Sequence, residues 1–207
     1  SSAIGNGSFS TLNSPEEVML GERLIDMHPY MEMIRFARTG GEANAIATRI
    51  ARAASGKSKV AVCGYHGWHD WYMAANLKGD DSLDGLLLPG LEPAGVPTEL
   101  KGTTLAFNYG NINELELLVN AHDDIGAICI EVQRGKEADL QFLKKVRIIA
   151  NKINAVLIFD EIFVKSANEI FHNDKVQGRL LGDSMKITSH MGSHCALFLK
   201  DMPAGRI

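Results

Sequence analysis

The chain has 207 residues, 45% of them hydrophobic and 22% charged, with a net charge of −4. That balance suits a globular protein with a sizeable core, and it disfavours a nucleic-acid binder, which carries a basic face. No apolar run is long enough to span a membrane, the polar Gly/Ser-rich start does not read as a signal peptide, and Cys63, Cys129 and Cys195 form no CxxC pair, as expected of reduced thiols in a cytoplasmic protein.

In chain order, Ser14-Pro15-Glu16-Glu17 reads as a helix start, with Ser14 as cap, Pro15 at the first helical position and Glu17 closing a capping box. This helix stops before Pro29. Residues 33–37 are a strand. A Gly40-Gly41 turn follows, then a helix over 42–54 that opens on Glu42 and Ala43, with Ala43, Ala47, Ile50 and Ala54 on one face and Gly56 at its end. Lys59 to Cys63 is a strand and Asp70 to Leu77 a helix. Asp80 to Gly102, rich in Gly, Pro and Asp, is a long surface loop of the kind that often carries function. The alternation resumes with a strand at Thr103–Phe107, a helix at Asn111–Ala121, a strand at Ile125–Glu131, a helix at Leu140–Lys152 and a strand at Ala155–Asp160. Residues 162–207 show no clear period, although Ala196 to Leu199 suits a strand.

Strands alternating with helices imply an α/β fold, a mostly parallel sheet covered on both faces. Ligands of such sheets sit at the carboxyl ends of the strands. The Gly-Gly turn, Glu131 and Asp160 all fall there. A glycine turn before a helix lets the backbone approach a ligand, and the first helix amides favour an anion, phosphate above all. Taken alone, such a turn is more often only a turn. Asp160 closes an apolar strand, where a carboxylate needs a partner. A protonated ring nitrogen of a cofactor is one partner; nearby loop amides are another. Tyr65, in Tyr65-His66-Gly67, is placed either to lie on a planar ligand or to fill the core. His66, His69 and Asp70 form a possible metal cluster, as do His190 and His194. Gly192 argues against a helix for the second pair, and polar loop histidines are the plainer reading of both.

Together these segments resemble a family. Thr39-Gly40-Gly41-Glu42-Ala43-Asn44, Gly64-Tyr65-His66-Gly67-Trp68-His69-Asp70, Glu131 and Phe159-Asp160-Glu161 stand in the order and at about the spacing of class III pyridoxal-phosphate aminotransferases, in particular the glutamate-1-semialdehyde aminomutase branch. The stretches STLNSPEEVMLGERL and RFARTGGEANAIATRIARAASGKSKV carry the likeness nearly throughout, and it covers residues 5–161. It implies a type I pyridoxal-phosphate fold whose large cofactor domain occupies 1–161, with 162–207 a divergent remainder. The small C-terminal domain of the longer family members would lie beyond this chain.

The resemblance also implies roles. Gly40 and Gly41 would hold the cofactor phosphate, where the family has Gly followed by Thr or Ser. Tyr65 would stack on the pyridine ring beside His66, Ile162 would cover the other face, and Asp160 would pair with the ring nitrogen so that the ring acts as an electron sink. Glu131 would lie near the substrate, although Val132 stands where the family usually has Pro. The Schiff-base lysine would be Lys186, 26 residues past Asp160, without the usual Gly before it; Lys165, Lys175 and Lys200 fit the spacing less well. The implied activity is an aminotransferase or aminomutase acting on a small amino acid or semialdehyde, in a cytoplasmic homodimer. The alternatives are a non-catalytic remnant of the fold or, less favoured, a metal enzyme using His66, His69 and Asp70.

Overall fold

The computed structural model describes residues 14–28, 31–79, 82–86, 89–132, 138–162, 184–190 and 193–198, the last two stretches as backbone strands. Helix α1 (Pro15–Met27) opens on Ser14, whose hydroxyl accepts from the Glu17 amide at 3.2 Å. Its buried Leu24 packs with Met31, Ile34 and Phe36. Strand β1 (Met33–Ala37) has the expected bounds.

Helix α2 spans Gly40–Ser55 and so begins two residues earlier than the sequence reading placed it. Thr39 is the cap, its hydroxyl accepting from the Glu42 amide at 3.2 Å. Gly40 and Gly41 are therefore the first helical residues rather than a turn, and neither has a positive φ. The carboxylate of Glu42 reaches back to the Arg38 amide at 2.7 Å, close to the reciprocal pattern of a capping box. Gly56 ends the helix at φ 67°. Ala43, Ala47, Ile50 and Ala51 form the buried stripe. Ala54, expected on it, is exposed: it lies in the last turn, beside a Gly56 with open space around it.

Strand β2 (Lys59–Cys63) leads to a short helix α3 (Asp70–Met73), continued as a 3-10 turn over Ala74–Leu77. The loop that follows is less superficial than its composition implies. Leu83 is fully buried, and Asn76 ties the loop down by accepting from the Leu83 amide at 2.9 Å and donating to the Leu91 carbonyl at 2.6 Å. Then come β3 (Thr104–Ala106), α4 (Ile112–Ala121), β4 (Ile125–Glu131), α5 (Leu140–Ile153) and β5 (Val156–Asp160), each within a residue or two of expectation. Strand β6 (Ser184–His190) was not expected, and β7 (Ser193–Phe198) extends the strand expected at 196–199.

The seven strands form one sheet in the order β1-β7-β6-β5-β4-β2-β3. Strands β3, β2, β4, β5 and β6 run parallel, and β7 runs antiparallel to both β6 and β1. Side chains alternate between the two faces as strand geometry requires. Val60, Val62, Ala127, Cys129, Val156 and Ile158 meet the alanine stripe of α2 and the buried Trp71 and Tyr72. Ala61, Cys63, Ile128, Ile130, Leu157 and Phe159 meet Leu115 of α4 and Phe142, Leu143 and Val146 of α5. Burying each of the valine, leucine, isoleucine and phenylalanine side chains contributes roughly 1.5–3 kcal/mol, which explains the near-continuous apolar runs of these strands. Asp160 and Glu131 continue the phase of Ile158 and Cys129, so both carboxylates emerge on the α2 face at the carboxyl edge.

Candidate active site

A cavity of about 380 Å³ opens at that edge, between the start of α2, the loop after β2 and the end of β5. Among its lining residues are Gly40, Gly41, Tyr65, His66, Asp160 and Ile162, so six of the residues singled out from the sequence converge on one space.

Asp160 is the centre of the polar geometry. It is 3% exposed, and its two oxygens are held differently. Oδ2 accepts from Asn44 Nδ2 at 2.9 Å and is paired with His66 Nδ1 at 2.9 Å. Oδ1 accepts from the Ile162 amide at 3.2 Å. A carboxylate has about four lone-pair positions, so three bonds leave it able to accept one more. Asn44 is itself anchored, donating also to the Gly40 carbonyl at 3.0 Å and accepting from Cys129 Sγ at 3.6 Å. Sequence reasoning assigned Asn44 no role. Its signals were its place at the end of the Thr39–Asn44 motif and an amide adjoining the alanine stripe of a helix, where a buried polar side chain needs a partner.

His66 is buried, and both ring nitrogens are occupied: Nδ1 by Asp160 and Nε2 by the Cys63 carbonyl at 3.2 Å. Burial opposes its charge, while the Cys129 sulfur and the Asp160 carboxylate favour it, and the balance holds its pKa well above the ordinary histidine value. The side chain thus forms an ion pair beneath the cavity. Burial pushes the neighbouring Cys129 thiol up, and the His66 charge opposes that rise.

Tyr65 is half-buried and meets Tyr72 edge-to-face at 5.7 Å, while the Tyr72 hydroxyl donates to the Gly64 carbonyl at 2.9 Å. Glu131 does not line the cavity. Its carboxylate accepts from the Tyr65 amide at 3.3 Å and lies against Gly64, where φ is 105° and an added Cβ would come within 2.4 Å of Glu131 Cβ. Glu131 therefore fixes the turn that presents Tyr65.

Lys186 lies on β6 in register with Phe159, one position before Ile187, which stands beside Asp160. Its side chain lies outside the described residues, as do those of His190 and His194 and the whole of Lys165, Lys175 and Lys200. Among the described residues no group of His, Cys, Asp and Glu is arranged to hold a metal ion, and no helix is long and apolar enough to cross a membrane.

The sequence profile of the class-III aminotransferases matches residues 3–164. A 3-aminobutyryl-CoA aminotransferase of Cloacimonas acidaminovorans is 33% identical over 167 residues, 77% of this chain and 36% of that protein. A glutamate-1-semialdehyde 2,1-aminomutase of Methanothrix thermoacetophila is 35% identical, over 70% of this chain and 34% of that protein. Among solved structures, the FumI protein of Sphingopyxis sp. MTA144, in its PLP internal aldimine form, superposes with a TM-score of 0.75 at 18% identity, covering 100% of this chain and 49% of that one. The chain thus spans about a third of the length of these two curated relatives and about half of that solved chain.

Proposed function

The chain belongs to the class-III aminotransferase family, and from that premise we propose that its cavity binds pyridoxal phosphate for amino-group transfer on a small amino acid or semialdehyde. The observation that carries this is Asp160: a buried carboxylate at a strand end, clamped by Asn44, His66 and the Ile162 amide, with acceptor capacity left and a cavity in front of it. A protonated ring nitrogen is the partner that such a carboxylate suits. The cavity also offers the start of a 16-residue helix to a phosphate and the side chains of Tyr65 and Ile162 to the ring faces.

Bound pyridoxal phosphate supplies an electron sink that stabilises charge at the substrate carbon next to the nitrogen. The protein's part is orientation and proton control. Asp160 would face the ring nitrogen and favour its proton, and His66 holds that carboxylate in place through Oδ2. Asn44 fixes the carboxylate's rotation from α2, the same helix that presents Gly40 and Gly41. Glu131 acts through the backbone of Tyr65. Lys186 is the amine assigned to the covalent link and to proton transfer at the substrate carbon. Transamination and intramolecular amino transfer draw equally on these groups.

Titration of the full chain with pyridoxal phosphate tests the reading. A visible absorbance band should grow in, saturate and disappear on borohydride reduction, and Asp160→Ala should abolish turnover. A protein that stays colourless and takes up no cofactor defeats the proposal. The family resemblance further supports a cytoplasmic homodimer; a fully active species with monomeric mass in light scattering would exclude the dimer.

A further inference from the structure

His69 is placed by the fold in a way the reading above leaves unused. Its backbone starts α3, its carbonyl accepting from the Tyr72 and Met73 amides at 2.9 and 3.0 Å, and the buried Trp71, Tyr72 and Met73 anchor that turn. Its ring lies over the first turn of α2. A Cβ built on Gly41 would stand 2.9 Å from His69 Cδ2 and 3.0 Å from Nε2, and 3.3 Å from the Cα of Gly67. Gly67 in turn, at φ 100°, would bring a Cβ within 2.4 Å of the Gly41 Cα. The two glycine backbones thus touch, and the space above Gly41 is filled by an imidazole.

That imidazole lines the cavity, and among the described residues its ring makes no hydrogen bond, in contrast to His66. Beside it the amides of Gly40 and Gly41 precede the first intrahelical bond, which runs from Ala43 to the Thr39 carbonyl. Asp160 is the one acidic residue among the described residues lining the cavity, and it is already paired. An anion entering beside α2 therefore meets a ring N–H and two backbone amides, with no uncompensated carboxylate opposite among the described residues.

We propose that His69 is a further phosphate-binding residue of this cavity, its ring N–H completing the cradle formed by Gly40 and Gly41. This rests on the pyridoxal-phosphate reading and deepens it. It also gives the absence of a side chain at position 41 a reason: the ring occupies that space and supplies a donor there.

Pyridoxal phosphate and pyridoxal, which lacks the phosphate, separate the roles. Both are titrated into the full chain and into His69→Phe, which keeps a ring in place without a donor, and His69→Gln, which keeps a donor. His69→Phe should weaken pyridoxal phosphate about tenfold or more and leave pyridoxal unchanged, and His69→Gln should recover much of the loss. Adding Gly41→Ser to a His69→Ala background, where the space is open, should also restore phosphate affinity. Equal losses for both ligands in His69→Phe, or no loss, overturn the role of His69. A wild-type chain that binds pyridoxal as tightly as pyridoxal phosphate overturns the cradle while leaving the Asp160 and Tyr65 reading in place. A chain that binds neither overturns both.

Discussion

At the scale of single residues, the site depends on a charge placed where water does not reach. His66 is buried beneath Asp160 and its pKa is raised, so its proton belongs to the folded state. The sign follows from linkage. Below the ordinary histidine pKa of about 6.5, both folded and unfolded chains hold the proton and the pair contributes in full. As pH climbs from there through the raised folded value, the unfolded state sheds its proton first, and the contribution is lost. The stability gap between wild type and His66→Gln, measured by urea unfolding, should therefore be widest near pH 6 and shrink toward pH 9. At the low end it should approach the ~3 kcal/mol typical of a broken buried pair. A gap that stays constant or widens with pH means that His66 is neutral in the folded protein. That Asp160 would need a partner was legible in the sequence, because a carboxylate closing an apolar strand demands one. The identity of its protein partners was not: Asn44 and His66 lie 116 and 94 positions away in the chain, and only the sheet brings them together.

At the scale of elements, legibility followed the strength of the local signal. β2, β4 and β5 are apolar runs bounded by polar residues, and they fell where expected. β6, Ser184-Met185-Lys186-Ile187-Thr188-Ser189-His190, alternates polar and apolar only from Ser184 to Thr188, a short period-2 signal that the reading of 162–207 passed over; β5 and β7 supply its hydrogen-bonding partners on both sides. The start of α2 was misplaced for a different reason. Two glycines read as a turn, but the cap at Thr39 lets the helix begin on them. Gly41 is needed for close packing rather than backbone freedom, and that yields a prediction. Gly67→Ala combines a disfavoured φ with a collision against the Gly41 backbone, and neither can be relieved by a side-chain rotation. It should cost about 1–3 kcal/mol of stability and also weaken binding of inorganic phosphate. Gly95→Ala, also at a positive φ (86°) but with open space around it, serves as the control and should carry strain alone. If thermal unfolding and phosphate titration give the same result for both variants, the contact between the two glycines has no functional weight.

At the scale of the molecule, the proposal that Lys186 serves the site draws on the order of strands. The cavity lies at the carboxyl end of β5, and β5 is flanked by β4 and β6. Among the described residues, Lys57 and Lys59 lie at the amino end of β2 and are held by the Ile153 carbonyl and Asp124, at the opposite edge of the sheet. Lys144, Lys145 and Lys152 belong to α5, which covers the other face. Lys186 stands on β6, the strand next to Asp160; its register partner Phe159 has the phase of the α5 face, so the assignment rests on the strand's position and the spacing past Asp160 and not on the register. A lysine on an element that borders β5 lies near the cavity, and parallel pairing brings the carboxyl ends of β5 and β6 to the same edge. Loading the chain with pyridoxal phosphate, reducing with borohydride and mapping the labelled peptide should therefore find the adduct on Lys186. Lys186→Ala should remove both the label and the visible band, while leaving reversible binding of the reduced, amine form of the cofactor, which needs no lysine. A label on Lys165 or Lys175 would move the amine to the connection between β5 and β6. A label spread over surface lysines would leave the cavity with a cofactor pocket and no assigned nucleophile, the non-catalytic alternative for this fold.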